Sequence, residues 1–388
     1  MSEISVALCF LLICLVPFAG AGIALINTGL VRSRNAAHSM LAALCVTSVA
    51  AIAYFVCGSA WRGFPAGENP YLSLVALLRL FGVGLAAIIP LGAGAERWRL
   101  GASCASAAIL AGLTYPLFAH WVWGGGWLAQ AGFVDAGGSG AIQALGGLTA
   151  LAMTWILGSR RGKFGADGMP AAMPGHGAVF VLFGCLLALV GWLGLNSAGS
   201  ILFAGATPGR VILVAINTVL AGASAALAAA AITRFRFGRP DASLCANGWV
   251  GGLAASGAAC AIVKPAGALL IGLVAGALVP LCVEWFESHL ALDDPGGAIS
   301  VHAIGGIWGL IAVALFGHAP GQWLAQLAGI ATLLGFVLPL SYGLNWTLNR
   351  FYPQRVAAEG ERQGMDLFEL GAGAYPEFYT HNEEFTQR

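Results

Sequence analysis

The sequence predicts an all-α integral membrane protein of eleven transmembrane helices, and three observations carry that reading. Of its 388 residues, 59% are hydrophobic and only 9% are charged, against about a quarter charged in soluble domains. So little charge cannot wet a folded surface, and lipid must cover it. Eleven separate apolar stretches are each long enough for the ~20 helical residues that cross ~30 Å of hydrocarbon. Basic residues gather in every second connection between those stretches, as membrane topology demands.

The spans fall at about 5–26, 36–57, 72–94, 101–122, 140–158, 177–195, 211–232, 245–263, 266–283, 298–316 and 323–348. The first follows Met-Ser-Glu with no basic residue ahead of it, which reads as a span rather than a cleaved leader. The 56 glycines suit helices that approach closely where lipid supplies no hydrophobic drive between them. The nine cysteines lie in or beside apolar runs without a CxxC pair, and read as small buried hydrophobes. Residues 1–350 form one membrane domain, with repeat halves at about 5–158 and 177–316. Residues 351–388 form a tail too short and too polar for a core of its own.

Charge sets the orientation. The connections after odd-numbered spans hold Arg32, Arg34, Arg97, Arg99, Arg160, Arg161, Lys163, Arg234, Arg236 and Arg239, and the tail adds Arg350, Arg355, Arg362 and Arg388. The other side has Arg62, Arg210 and Lys264, while Arg79 falls inside the third span. The positive-inside rule then puts the N-terminus outside and the tail in the cytoplasm of a cell membrane. The same scatter of Lys and Arg gives no basic patch for nucleic acid.

The chain repeats itself. DAGGSGAIQALGGLTAL (135–151) and DPGGAISVHAIGGIWGL (294–310) share 7 of 17 positions without a gap. They open the fifth and tenth spans. Five spans separate equivalent positions, so the copies cross in opposite directions as an inverted repeat, an arrangement that places substrate paths at the repeat interface.

Equivalent residues carry the chemistry. Asp135 and Asp294 precede the two repeat helices, where a carboxylate accepts from free N–H groups and complements the helix dipole. Asp135, on the outer side, is also placed to favour cation entry. Eight residues on stand Gln143 and His302, past two helical turns that rise roughly 11 Å. Polar groups at that depth should face the bundle interior, so the two are expected to line one path. His302 can donate, accept or carry a proton; Gln143 can donate and accept but cannot titrate. In HWVWGGG (120–126) the tryptophans read as interfacial anchors. Trp123, set against three glycines, is also suited to offer an indole face to a small cation. Arg79 is expected to snorkel to headgroups.

TGLVRSRN (28–35), GAGAER (92–97), AHWVWGGG (119–126), DAGGSG (135–140), GWLGLNSAGS (191–200), DDPGGAISVH (293–302) and RVAAEGERQGMDL (355–367) together resemble the Amt/Mep/Rh ammonium transporters, over about residues 15–376. The resemblance implies the ammonium transporter fold: two inverted five-helix halves, a final long helix, and a homotrimer with one pore per subunit. It implies passive, channel-like movement of ammonium or ammonia, no enzyme activity, no cofactor and no metal. A PII-type regulatory protein at the cytoplasmic face is a further partner it implies. Residue by residue, Trp123 matches the tryptophan of the outer recruitment site. Ser200, or its neighbour Gly199, matches that site's serine. Asp135 matches the outer aspartate, and His302 matches the second of two pore histidines. Three departures stand out. Gln143 replaces the first pore histidine. The two phenylalanines at the pore mouth align with Gly82, beside Phe81, and with Leu195. The last residues, PEFYTHNEEFTQR (376–388), are unlike the usual short end. These departures leave an alternative open, an ammonium sensor or scaffold with little flux.

Overall fold

The computed structural model describes residues 2–58 and 69–376; Arg62, counted above, and the final residues 377–388 lie outside them. Among the described residues ten helices are long and apolar enough to cross a membrane. We number the spans α1 (Glu3–Leu30), α2 (Ser33–Val56), α3 (Pro70–Gly94), α4 (Leu100–Gln130), α5 (Ser139–Leu157), α6 (Ala178–Ala204), α7 (Pro208–Phe237), α9 (Pro265–Leu290), α10 (Ile299–Phe316) and α11 (Gln322–Phe351). The place of α8 is taken by Ala242–Ala259. That helix is as long as α10 but rich in Ala and Gly, with two Ser and one Asn. Its neighbours enclose it: apart from Trp249, every residue from Ala246 to Ala259 is buried. Shielded by protein rather than lipid, it needs no uniformly apolar surface. The eleven-helix expectation agrees with this architecture.

The two halves pack alike. In the first, α2 packs on α3 and α4, and α3 on α5; in the second, α7 packs on α8 and α9, and α8 on α10. Between the halves α1 lies along α6, and glycines set how close they come. A Cβ built on Gly22 would stand 2.5 Å from the Gly184 carbonyl oxygen, and one on Gly184 2.6 Å from that of Gly22. No side chain fits there, so the backbones themselves touch. Pro17, which lacks an N–H, marks a break in α1 between Glu3–Ile13 and Pro17–Leu30. The α6 helix runs to Ala204 rather than stopping at 195, because NSAGSILF continues to place small and apolar side chains inward. The α11 helix packs across α5.

One end of the bundle is charged. Glu96, in a left-handed conformation (φ 67°), pairs with Arg32 and lies 3.5 Å from Arg160; Asp293 lies 2.8 Å from Arg160 and 3.6 Å from Arg97. Burial pushes the Glu96 carboxyl up, but the Arg32 hydrogen bonds and the Arg160 charge outweigh it and hold the group below its ordinary range. Asp293 is likewise held low by Arg160 and Arg97 against burial. Burial pulls Arg97 down to about 10.

The tail docks on this end. Met365 N–H donates to Asn35 Oδ1 at 2.9 Å. The buried Asp366 carboxylate accepts from the N–H groups of Ala37 (3.1 Å) and His38 (2.8 Å), capping the start of α2 from over three hundred positions away in sequence. Arg355 donates to the carbonyls of Leu157 and Ser159 at 2.8 Å each. Glu369 accepts from Leu100 N–H at 2.8 Å and meets His38 Nε2 at 2.9 Å.

Candidate functional site

The repeat builds the same backbone device twice. Asp135 Oδ2 accepts from the N–H groups of Gly140 (3.0 Å) and Ala141 (2.8 Å). Asp294 accepts from Ala298 (2.9 Å) and Ile299 (2.7 Å). Three residues after each Asp the chain turns through a left-handed glycine, Gly138 (φ 83°) and Gly297 (φ 66°), a conformation that glycine adopts without steric penalty. Just before it, Gly137 N–H donates to the Gly257 carbonyl at 2.8 Å and Gly296 N–H to that of Gly92 at 3.1 Å. Burial pushes both aspartate carboxyls up to about 6, against the downward pull of the N–H groups they accept from.

Each capped strand of chain enters a π-helical turn, Ser139–Ala144 in one copy and Ile299–Ile304 in the other. These wider turns recur at functional positions in helices, and here each holds one pore residue. The two turns face each other, and Gln143 Oε1 meets His302 Nδ1 at 2.8 Å. Both side chains are buried, at 1% and 4% exposure. An amide oxygen only accepts, so with Oε1 turned to His302 the proton sits on Nδ1 and Nε2 is left as an acceptor. Gln143 Nε2 is buried without a hydrogen-bond partner among the described residues. One unused donor and one unused acceptor therefore flank the pair. On the His302 side lies a small cavity lined by Ile23, Ile26, Ile89, Val250 and the polar Asn27 and Asn247. On the Gln143 side Ile142 and Leu145 are buried.

The remaining predicted positions separate. Trp123 donates its Nε1–H to the Asp135 carbonyl at 2.7 Å, and its rings lie flat on Phe203, centroids 4.4 Å apart at 6°. Ser200 is fully buried and turns its hydroxyl to Cys260 Sγ at 3.6 Å, while Gly199 packs against the Ala136 carbonyl. Phe81 lines an apolar groove with Val16, Gly20, Met40, Leu44 and Ile88. Its neighbour Gly82 is the position that faces Tyr115 and Ile142. Leu195 is buried in the hydrophobic core.

Arg79 corrects an expectation. It does not snorkel: it is 8% exposed, and its guanidinium carbon stands 5.9 Å from the centroid of the Phe203 ring. The Phe203 face and a hydrogen bond shared with Tyr54 hold the guanidinium inside the bundle instead of releasing it to headgroups. Phe203 itself carried no sequence signal beyond its place one helical turn after Ser200. Asn27 and Asn247 were equally silent, because a lone Asn in a span reads first as an interhelical hydrogen bond.

Known proteins match this chain in sequence and in fold. The profile described as the Ammonium Transporter Family matches residues 7–375. The chain is 36% identical to ammonium transporter Amt2 of Archaeoglobus fulgidus, covering 97% of this chain and 89% of that protein. It is 31% identical to ammonium transporter Amt2 of Haloferax mediterranei, covering 94% and 88%. Among solved structures it resembles one titled Sensor Amt Protein, with a TM-score of 0.87, 28% identity and coverage of 95% and 100%. It also shares the fold of Candida albicans Mep2, with a TM-score of 0.84, 23% identity and coverage of 98% and 92%.

Proposed function

The chain belongs to the ammonium transporter family, and from that premise we propose that it passes ammonium or ammonia passively across a membrane, through its own pore, past the Gln143–His302 pair. The observation that carries this reading is the 2.8 Å contact of those two groups between oppositely directed helices, beside a cavity wall that is apolar but for Asn27 and Asn247. Desolvation is the main barrier to a small cation in such a corridor. The pair offers partners halfway: the His302 Nε2 lone pair accepts from ammonium or ammonia, and the amide N–H of Gln143 donates to the lone pair of ammonia.

The replaced histidine sets the chemistry. An imidazole can take a proton at one nitrogen and release it from the other, whereas an amide cannot titrate. A proton handed along the pair therefore stops at Gln143. Transport through this pore is accordingly slower or less electrogenic than through a pair of imidazoles. Restoring the second imidazole by Gln143→His and recording ammonium-evoked current on a solid-supported membrane tests this. The expected result is a larger current; an unchanged current sinks the proposed role of the amide.

The membrane is the cytoplasmic membrane in this reading, with the Asp135 end outside, supported by the fourteen Lys and Arg that lie on the other side. A homotrimer and a PII-type partner at the docked tail follow from the family resemblance. We assign no catalytic role. Relatives that are named transporters at 36% and 31% identity weigh for flux over a purely sensory role.

A further inference from the structure

A guanidinium inside a span normally reaches a headgroup or a carboxylate. Arg79 does neither. It stands on α3 roughly 13 Å of helical rise from Pro70. Its Nε and Nη2 are buried without a hydrogen-bond partner among the described residues, and among those residues no ion pair holds it. What it meets is the Tyr54 hydroxyl, with which it shares a hydrogen bond, and an aromatic face. Its Cζ lies 5.9 Å from the Phe203 centroid, within the range of a cation–π contact. That ring is stacked on Trp123, and Trp123 is fixed through Nε1 to the carbonyl of Asp135. The bond from the Tyr115 hydroxyl to the Arg79 carbonyl at 3.3 Å ties the same stretch of α3 to α4. The aromatic pair beside Asp135 is thus built to hold a cation, and the cation it holds belongs to the chain.

Resting on the reading of this pore as an ammonium route, we propose that Arg79 is a tethered cation. Its guanidinium occupies the Phe203–Trp123 aromatic site, competes with solute cations for that site, and makes this mouth discriminate against ammonium and in favour of uncharged ammonia. One indole face of Trp123 is covered by Phe203, so a solute cation gains the open Phe203 face only where Arg79 withdraws.

The test compares the full chain with Arg79→Gln in proteoliposomes at pH 6. The variant should show a half-saturating ammonium concentration about 3- to 10-fold lower, within the strength of a partly buried cation–π contact. Guanidinium chloride should then block the variant at concentrations that leave the unmodified protein untouched, because the free ion refills the vacated place. Binding is read separately, by intrinsic tryptophan fluorescence of the detergent-solubilised protein. Guanidinium should change the signal of Arg79→Gln, but not that of the unmodified protein or of the Arg79→Gln/Trp123→Phe double variant. Arg79→Lys, which keeps the charge and loses the planar face, should shift half-saturation the same way by less, and serves if the Gln variant does not fold. Absent flux in every protein overturns the transport reading and leaves the fluorescence arm to judge Arg79. No guanidinium-dependent signal in the folded Gln or Lys variant overturns the tethered cation.

Discussion

Asp135 and Asp294 head two copies of one backbone device, yet the surroundings of the two copies have diverged. Both aspartates cap two N–H groups, both precede a left-handed glycine, and both lead into a π-helical turn. Around Asp135 the chain places an aromatic stack with a guanidinium over it. Beside Asp294 it places ion pairs and the docked tail. At the centre one copy contributes an amide and the other an imidazole. Backbone geometry is shared because both copies must bend the chain into the membrane without leaving N–H groups unpaired. The side chains facing the path meet no such demand, so they are where the halves differ.

The largest expected effect tests what is shared. Asp135→Ala and Asp294→Ala each strand two buried N–H groups, at about 1–3 kcal/mol per group. Thermal unfolding in detergent should show comparable, severe losses for the two variants. A variant with an unchanged melting temperature would mean that copy does not depend on its cap. Next comes the divergence at the centre. His302→Gln, which removes the remaining titratable group from the pair, should reduce ammonium flux on the order of a hundredfold, the lower end of what a positioned acid–base group contributes. Flux equal to that of the unmodified protein would show that the imidazole acts only as a hydrogen-bonding group.

A pH series separates the aspartate caps from the ion network. Asp135 and Asp294, pushed up to about 6, bind protons more readily folded than unfolded. Their contribution is fully present below the unfolded carboxyl pKa and is lost as pH rises through about 6. Glu96 and Asp293 are held low, so theirs is present above the ordinary carboxyl range and is lost as pH falls through their folded values. The melting temperature should therefore rise modestly from pH 7 to pH 5 and fall on stronger acidification. A monotonic decline from pH 7 would contradict the burial of the caps. The smallest effect is expected at the tail. Glu369→Gln weakens a partly exposed contact with His38 and Arg99 and should change stability by less than about 1 kcal/mol. Limited proteolysis should nevertheless cut the tail sooner.

Much of this is legible in the sequence. The spans follow from apolar run length, and the pairing of Asp135 with Asp294 and of Gln143 with His302 follows from the repeat. Rotation about a helix was harder to read. Phe81 and Gly82 differ by one residue, about 100° of turn, and that step separates a groove between α1, α2 and α3 from the face toward Tyr115. Arg79 is buried between Tyr54 and Phe203, partners 25 and over a hundred residues away in sequence. The tail read as a loose polar end because its partners, Asn35, His38 and Leu157, are equally remote.

Docking of that tail has a consequence for biogenesis. Residues 354–369 follow all eleven spans, yet they supply the cap of the second span and bind the carbonyls that end the fifth. Those bonds form only once every helix has been inserted. A nascent bundle stalled partway leaves these groups unsatisfied at one end, a mark by which quality control could tell an unfinished chain from a finished one.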